Sequence, residues 1–594
     1  MLTKNGKRAI AVAVASLMLC GSAFAASDDL TTFAERSGFK KTGRYDEVIQ
    51  LCKAYAAKWP DAVRCAEFGR TPEGRPMMLL VASRSGALTP EDAKSRGVPV
   101  LLMQGGIHAG EIDGKDAGFL ALREMLQDRS APGALSKIVL VFVPVFNIDG
   151  HERMGRWNRP NQNGPEEMGW RVTGQNLNLN RDYTKADAPE MHAMLRLLNT
   201  WDPIVYVDLH VTDGAQFQHD VANLMEPTIT GSSALRDSGK ALLKEVNERI
   251  TAKGASPLDF YPSFRIDDDP TSGFALGNYL PRFSTGYWAL SNRFAMLVET
   301  HSWKDYPTRV RITHDIIVGL SEVGARDGKN WLGAAKRADD EARSLGGSKF
   351  ALTYDVTDKH RTIDFKGYAY TREPSAISGA LVTRYDPKKP QIWRIPLYDD
   401  VKTGIEVVAP AGGYVIPAAQ AAWLGEKLKM HGIEFRTIET NLNTQSVEAF
   451  RATKVELAPQ SFEGHTTTAL SGEWKVEARS IGKGSLFVPI AQPKARLLMT
   501  LLEPRSPDSF AAWGFFNASF EQKEFLEAYV AEDVAAEILA KRPDVAAEFK
   551  QKLATDPAFA KDPRARLDFF FKLHPAWDER FNLYPVVRVG TEIR

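Results

Sequence analysis

The sequence predicts an α/β domain on a mixed, mostly parallel sheet flanked by helices, followed by a smaller β-rich domain with a helical C-terminal part. Three observations predict it. Nearly continuous apolar runs at Val98–Met103, Lys137–Phe146, Ile204–Leu209 and Phe294–Val298 alternate with helical patterns, as strands buried on both faces do. After Gly346-Gly347-Ser348, a linker, the texture changes to short strands with many turn residues. Beyond that, Phe520–Leu553 has a helical pattern.

Taken in order, Lys4, Lys7 and Arg8 precede an apolar run, Ala9–Leu19, and then Ala23-Phe24-Ala25, the small-x-small pattern of a signal-peptidase site. Residues 1–25 are therefore expected to be a signal peptide, and the mature chain to begin at Ala26 in the periplasm or outside the cell. Lipoprotein processing at Cys20 is disfavoured by Leu19, which stands where a small residue is wanted. No later stretch has the eighteen or so apolar residues of a membrane span.

The first domain, 26–345, opens with a short helix and a hairpin, Cys65–Gly69 and Pro76–Ser83, around the turn Thr71-Pro72-Glu73-Gly74. The strand Val98–Met103 ends at Gly105-Gly106, and a helical pattern resumes over Gly114–Leu126. The β-rich domain, 350–500, has short strands at Thr362–Arg372, Gln391–Pro396 and Gly404–Val408, and one helix, Ala418–His431, closed by Gly432. Residues 501–594 are read as mainly helical, and no catalytic constellation appears after residue 346.

Composition bounds the partners. The 594 residues are 44% apolar and 25% charged, as in an ordinary globular protein. Removing three basic and no acidic residues with the leader, from 75 Lys+Arg against 74 Asp+Glu, leaves a mature chain near −2, which argues against nucleic acid. Cys52 and Cys65 remain, either paired across a short loop or as two buried thiols.

Ligands of such sheets collect beyond the carboxyl ends of the strands. His108 follows the first strand, Asn147 the second, His210 ends the third and Glu299 ends the fourth. His108 and Glu111 lie three residues apart in a strand-to-helix loop, and a catalytic zinc needs three protein ligands with one position left for water. Of eleven histidines, His210 alone also ends a buried strand, which makes it the third ligand. His219 and His192 read as surface residues, and His301 is left open as a group that lines the site or does not.

Five segments then resemble the carboxypeptidase A-like zinc metallocarboxypeptidases: His108-Ala109-Gly110-Glu111, Asn147-Ile148-Asp149-Gly150, Asn178-Leu179-Asn180-Arg181-Asp182, Asp208-Leu209-His210 and Leu297-Val298-Glu299-Thr300. With the hairpin Gly69–Pro76, the likeness covers roughly residues 45–325 and leaves the β-rich part as something additional. It implies one Zn2+ on His108, Glu111 and His210, Glu299 as general base, and Asn180 with Arg181 on the terminal carboxylate of a peptide or peptide-like substrate. It also implies an oxyanion arginine, best matched by Arg159 with Arg171 as competitor, and a substrate-covering tyrosine, for which Tyr287 is preferred to Tyr279. Many relatives have aspartate where this chain has Asn178, which makes the zinc-bound imidazole less basic here.

The expected activity is removal of C-terminal residues from peptides. Alternatives are a zinc deacylase of small N-acyl amino acids, like the relatives of aspartoacylase, or a hydrolase of cell-wall peptide stems. A binding protein on a degenerate scaffold would have lost a ligand or the base, and none is missing here. The run Asp267-Asp268-Asp269 is read as solvated, with attraction of basic side chains as the other reading. The β-rich domain is expected to restrict access to the cleft, bind a partner or stabilise the first domain.

Overall fold

The computed structural model describes residues 30–277 and 280–593. The expected signal peptide and Tyr279 lie outside the described residues. The strands of the first domain are β1 (Val63–Arg70), β2 (Pro76–Ala82), β3 (Val100–Gly105), β4 (Val139–Val143), β5 (Val205–Thr212), β6 (Val221–Glu226), β7 (Pro257–Leu258), β8 (Phe274–Ala275) and β9 (Phe294–His301).

Eight of these form one sheet in the order β1-β2-β4-β3-β5-β9-β6-β7. Its centre, β4-β3-β5-β9, is parallel, while β1, β2 and β6 join antiparallel neighbours. Every residue of β3, β4, β5 and β9 is buried, which is why the sequence shows continuous apolar runs there rather than alternation. Helices Asp113–Leu126 and Ser233–Ala252 both pack on Tyr306–Arg343, and their buried side chains join the strands in one core. Each fully buried Val, Leu, Ile or Phe there contributes roughly 1.5–3 kcal/mol. A Cys52–Cys65 disulfide ties the helix Tyr45–Lys58 to β1.

The β-rich part is stitched to this domain. Its long hairpin, Arg361–Pro374 with Leu381–Tyr398, adds to β8 in parallel through Leu397 and Tyr398. Phe217, Phe260 and Phe274 of the first domain share a small core with Phe365 and Trp393 of that hairpin. The acidic run is not simply solvated: Asp268 accepts hydrogen bonds from the Thr383 backbone N–H (2.9 Å) and hydroxyl (2.6 Å), and Asp269 pairs with Arg372 at 2.8 Å.

A second sheet has the order Arg436–Thr437, Leu486–Pro489, Gly413–Ile416, Val587–Val589, Leu442–Leu457, Thr468–Ile481. Its fourth strand comes from the C-terminal end, so the helices between are an insertion into this sheet's connectivity. The expected helix over 520–553 is two, Ala528–Lys541 and Pro543–Thr555. Pro543 has no N–H to continue the first helix and suits the first turn of the next. Among the described residues no helix is long and apolar enough to cross a membrane.

Candidate active site

The site forms where β3, β5 and β9 end. At the close of β3, Gly106 takes φ +62°, a conformation that glycine adopts without strain, and the chain turns into the loop holding His108 and Glu111. The Glu111 N–H donates to the His108 carbonyl at 2.9 Å, closing a turn that brings both side chains to one side. His210 arrives from β5. One ligand atom from each of His108, Glu111 and His210 lies within 4.8 Å of the others, and all three residues are buried.

Both imidazoles put Nδ1 against the carboxylate, His108 at 3.0 Å from Oε1 and His210 at 2.9 Å from Oε2. Their Nε2 atoms face outward to fixed partners. Asn178 Oδ1 lies 3.1 Å from His108 Nε2, and Asp208 Oδ2 lies 2.9 Å from His210 Nε2. Asp208 is itself held by Gln104 (2.9 Å) and the Ser284 hydroxyl (2.6 Å). The Asn178 hydrogen bond fixes the His108 tautomer and aims its inner nitrogen, while the Asp208 contact lacks hydrogen-bond geometry and sets a carboxylate beside the His210 ring.

These residues fit a metal ion. His108 Nδ1 is buried without a hydrogen-bond partner while pointing at a carboxylate oxygen, an arrangement that coordination satisfies and burial alone penalises. Burial pushes the His108 imidazolium down to about 4, with Glu111 opposing, so the ring is neutral and its lone pair is available. Two nitrogens and a carboxylate are a donor set for a catalytic zinc with one position left for water.

Glu299 lies in β9 and is paired in register with His210 in β5. Burial pushes its carboxyl up to about 8; His210 works against this, and Glu111 and Asp208 add to it. Arg159 is buried with Nη1 3.0 Å from Glu111 Oε1, Nη2 donating to the Val211 carbonyl at 3.3 Å and Nε to Gln162 at 3.2 Å. Its competitor Arg171 reaches the same Glu111 oxygen at 3.2 Å with a more exposed side chain. Neither stacks on its neighbouring tryptophan: Arg156 lies over Trp157 and Arg153 over Trp170.

Asn180 and Arg181 follow Asn178, whose Oδ1 also accepts the Asn180 N–H at 3.0 Å. Arg181 lies over the Phe283 ring at 4.5 Å and donates Nη1 to the Asn180 carbonyl at 2.7 Å. Its Nε and Nη2 donate to no group among the described residues, which leaves two donors for a ligand. Asn147 caps a short helix, accepting from Gly150 N at 3.0 Å and donating to the Arg171 carbonyl at 3.1 Å, so it shapes the loop that carries Arg171.

Tyr287 is not at the cleft. It is 1% exposed, and its hydroxyl shares a 2.9 Å hydrogen bond with His431 Nδ1, so the covering role expected for it has no surface from which to act. His219 is buried rather than superficial, with Nδ1 3.1 Å from the Ser256 hydroxyl and Phe365 against its ring. His301 is buried and stacked on Phe217 at 3.9 Å. His192 lies partly exposed on its helix, against the Ala186 carbonyl.

Two residues that sequence reasoning missed come to the site. Tyr261 places its hydroxyl 2.8 Å from Thr212 Oγ1, two residues beyond His210; burial, and then the charge of Glu299, raises its phenol. Glu463, from the second sheet's domain, accepts the Asn178 N–H at 3.0 Å. No local pattern marks either one, since each is brought in by a distant loop.

A buried His-Glu-His set with a carboxylate one strand away defines a zinc-dependent metallopeptidase. The profile of the zinc carboxypeptidase family matches residues 48–256. Carboxypeptidase 2 of Trichophyton equinum is 24% identical over 492 residues, covering 76% of this chain and 80% of the fungal protein. Carboxypeptidase B of Helicoverpa zea is 30% identical over 154 residues, 23% of this chain and 34% of the insect protein. The crystal structure of carboxypeptidase A from Helicoverpa armigera superposes with a TM-score of 0.34 at 16% identity, covering 50% of this chain and 74% of that one. Over residues 48–256 the chain is similar to the zinc carboxypeptidases, and within that stretch His108, Glu111 and His210 are arranged to hold a metal ion.

Proposed function

We propose that this protein removes the C-terminal residue of peptides outside the cytoplasm, with Glu299 as general base, Arg159 as the donor that meets the developing oxyanion, and Asn180 with Arg181 on the terminal carboxylate. The observation that carries the reading is the convergence of His108, Glu111 and His210 beside Glu299.

His108, Glu111 and His210 would hold the zinc, which would supply a Lewis acid and acidify a water toward neutral pH. Glu299 takes the proton of the attacking water and delivers it to the leaving amine. Arg159 is fixed by Gln162 and the Val211 carbonyl, so little reorganisation accompanies its donation to the scissile oxygen as charge develops there. The two free donors of Arg181 form a planar fork suited to a carboxylate, and this favours chain ends over internal bonds. Export is supported by the basic, apolar and small-x-small sequence of residues 1–25 and by the Cys52–Cys65 disulfide, a bond typical of oxidising compartments.

A peptide library incubated with the purified protein and read by mass is expected to lose single residues from carboxyl ends. Internal cuts, or cleavage of acylated amino acids alone, would reject the reading. Metal analysis is expected to give about one zinc per chain, lost in His108→Ala.

A further inference from the structure

The strands Leu442–Leu457 and Thr468–Ile481 are joined by a loop whose tip, Phe462-Glu463-Gly464-His465, is a two-residue hairpin. Phe462 and His465 exchange backbone hydrogen bonds of 2.8 and 3.0 Å, and both central residues have positive φ, Glu463 at +49° and Gly464 at +82°. A turn of this kind takes Asn, Asp or Gly at its first central position, and a glutamate there is strained. Strain at one residue of an otherwise ordinary turn points to a use for its side chain.

The tip is fastened to the loop that follows Arg181 and to Trp513. His465 Nε2 meets Asp187 at 2.7 Å, and Phe462 stacks on Trp513 at 5.9 Å with the Arg282 guanidinium over both rings. Thus held, Glu463 extends to the Asn178–Arg181 segment, where Oε2 accepts the Asn178 N–H. Oε1 accepts no hydrogen bond among the described residues, and the residue is only half-buried. Arg181 lies within its field: burial and Arg171 pull the Arg181 guanidinium down, while Glu463 raises it.

The Asn178–Arg181 segment therefore carries two groups with bonding capacity to spare, the remaining donors of Arg181 and a carboxylate oxygen of Glu463. A neutral or acidic terminal residue satisfies the first and leaves the second unanswered. A residue with an α-carboxylate and a cationic side chain satisfies both. We propose that Glu463, delivered by the accessory domain, is a specificity-determining residue of the substrate pocket and selects C-terminal residues with a cationic side chain.

The proposal rests on the carboxypeptidase reading and is tested separately from it. A peptide series differing only at the C-terminus (Lys, Arg, Leu, Glu) is assayed with the zinc-loaded full chain and with Glu463→Gln and Glu463→Lys. The glutamine amide oxygen can still accept from Asn178, so that variant removes charge and keeps the hydrogen bond. The wild type is expected to favour Lys and Arg ends. Glu463→Gln should lower kcat/KM for those by about 10-fold and change the Leu peptide less than about 2-fold, and Glu463→Lys should favour the Glu end. Equal effects of Glu463→Gln on all four peptides, or none on any, would overturn the proposal while leaving the carboxypeptidase reading intact. A wild type that releases no terminal residue from any of the four overturns both.

Discussion

Glu299 of β9 and His210 of β5 are register partners in two adjacent parallel strands at the centre of the sheet. Paired residues of neighbouring strands project from the same face, so the proposed base and a metal ligand are held by backbone pairing rather than by a mobile loop. Sites on strands keep their geometry when one side chain is altered without change of shape. Glu299→Gln is therefore expected to keep one zinc per chain and the wild-type melting curve while lowering kcat by about 10²–10⁴. Retention of full activity would remove Glu299 from the mechanism.

The two arginines should separate in their kinetics. Arg181 has donors free for the ground-state carboxylate, so Arg181→Ala is expected to raise KM by about 10–100-fold with a smaller change in kcat. Arg159 is held at Glu111 and its proposed contact strengthens as the oxyanion forms, so Arg159→Ala should lower kcat by roughly 10²–10³. Steady-state kinetics on one peptide decides it, and a reversal of the two patterns would exchange the assigned roles.

The metal ligands and the proposed base were legible in the sequence. His108, His210 and Glu299 are recognisable because each follows or ends an apolar run, and a chemical residue beyond a buried strand is a local pattern. Tyr287 was misplaced for the opposite reason. Ser284–Ala289 is helical and the phenol is covered by His431, 144 residues further on. His219 is likewise buried by Phe365 of the accessory hairpin. Glu463 comes from a turn 285 residues beyond Asn178. Apart from Tyr261, which a distant loop of the first domain brings to Thr212, what escaped the sequence is what the second domain covers or contributes, and no local periodicity records such contacts.

Gly110, between His108 and Glu111, is needed for space. A Cβ there would lie 2.6 Å from Arg159 Cγ and 2.8 Å from the Gly169 carbonyl oxygen, and the backbone cannot yield as a side-chain end would. Arg159 must then shift, and misplacement of a catalytic group by about 1 Å costs on the order of 10²-fold. Gly110→Ala is expected to lower kcat by about 10–100-fold, and wild-type turnover in that variant would show that Arg159 has freedom to adjust.

The fastening of the accessory tip to the loop that follows Arg181 should be sensitive to acid. Asp187 accepts from His465 at 2.7 Å and meets Lys185 at 3.2 Å and Lys427 at 3.1 Å. Burial alone would raise its carboxyl, but the His465 hydrogen bond and the two lysines hold it well below the usual carboxylate range. A carboxyl whose folded pKa is depressed contributes stability that is complete above its unfolded value, near 3.9, and fades as the pH falls below it. Asp187→Asn should therefore be less stable than the wild type by about 1–2 kcal/mol at pH 7, and the gap should narrow as the pH falls from about 5 to 3. Thermal unfolding of both proteins across that range measures it. Because His465 is two residues from Glu463, the variant should also lose part of the preference for cationic ends at neutral pH. A gap that stays constant with pH would mean that Asp187 acts by shape and not by charge.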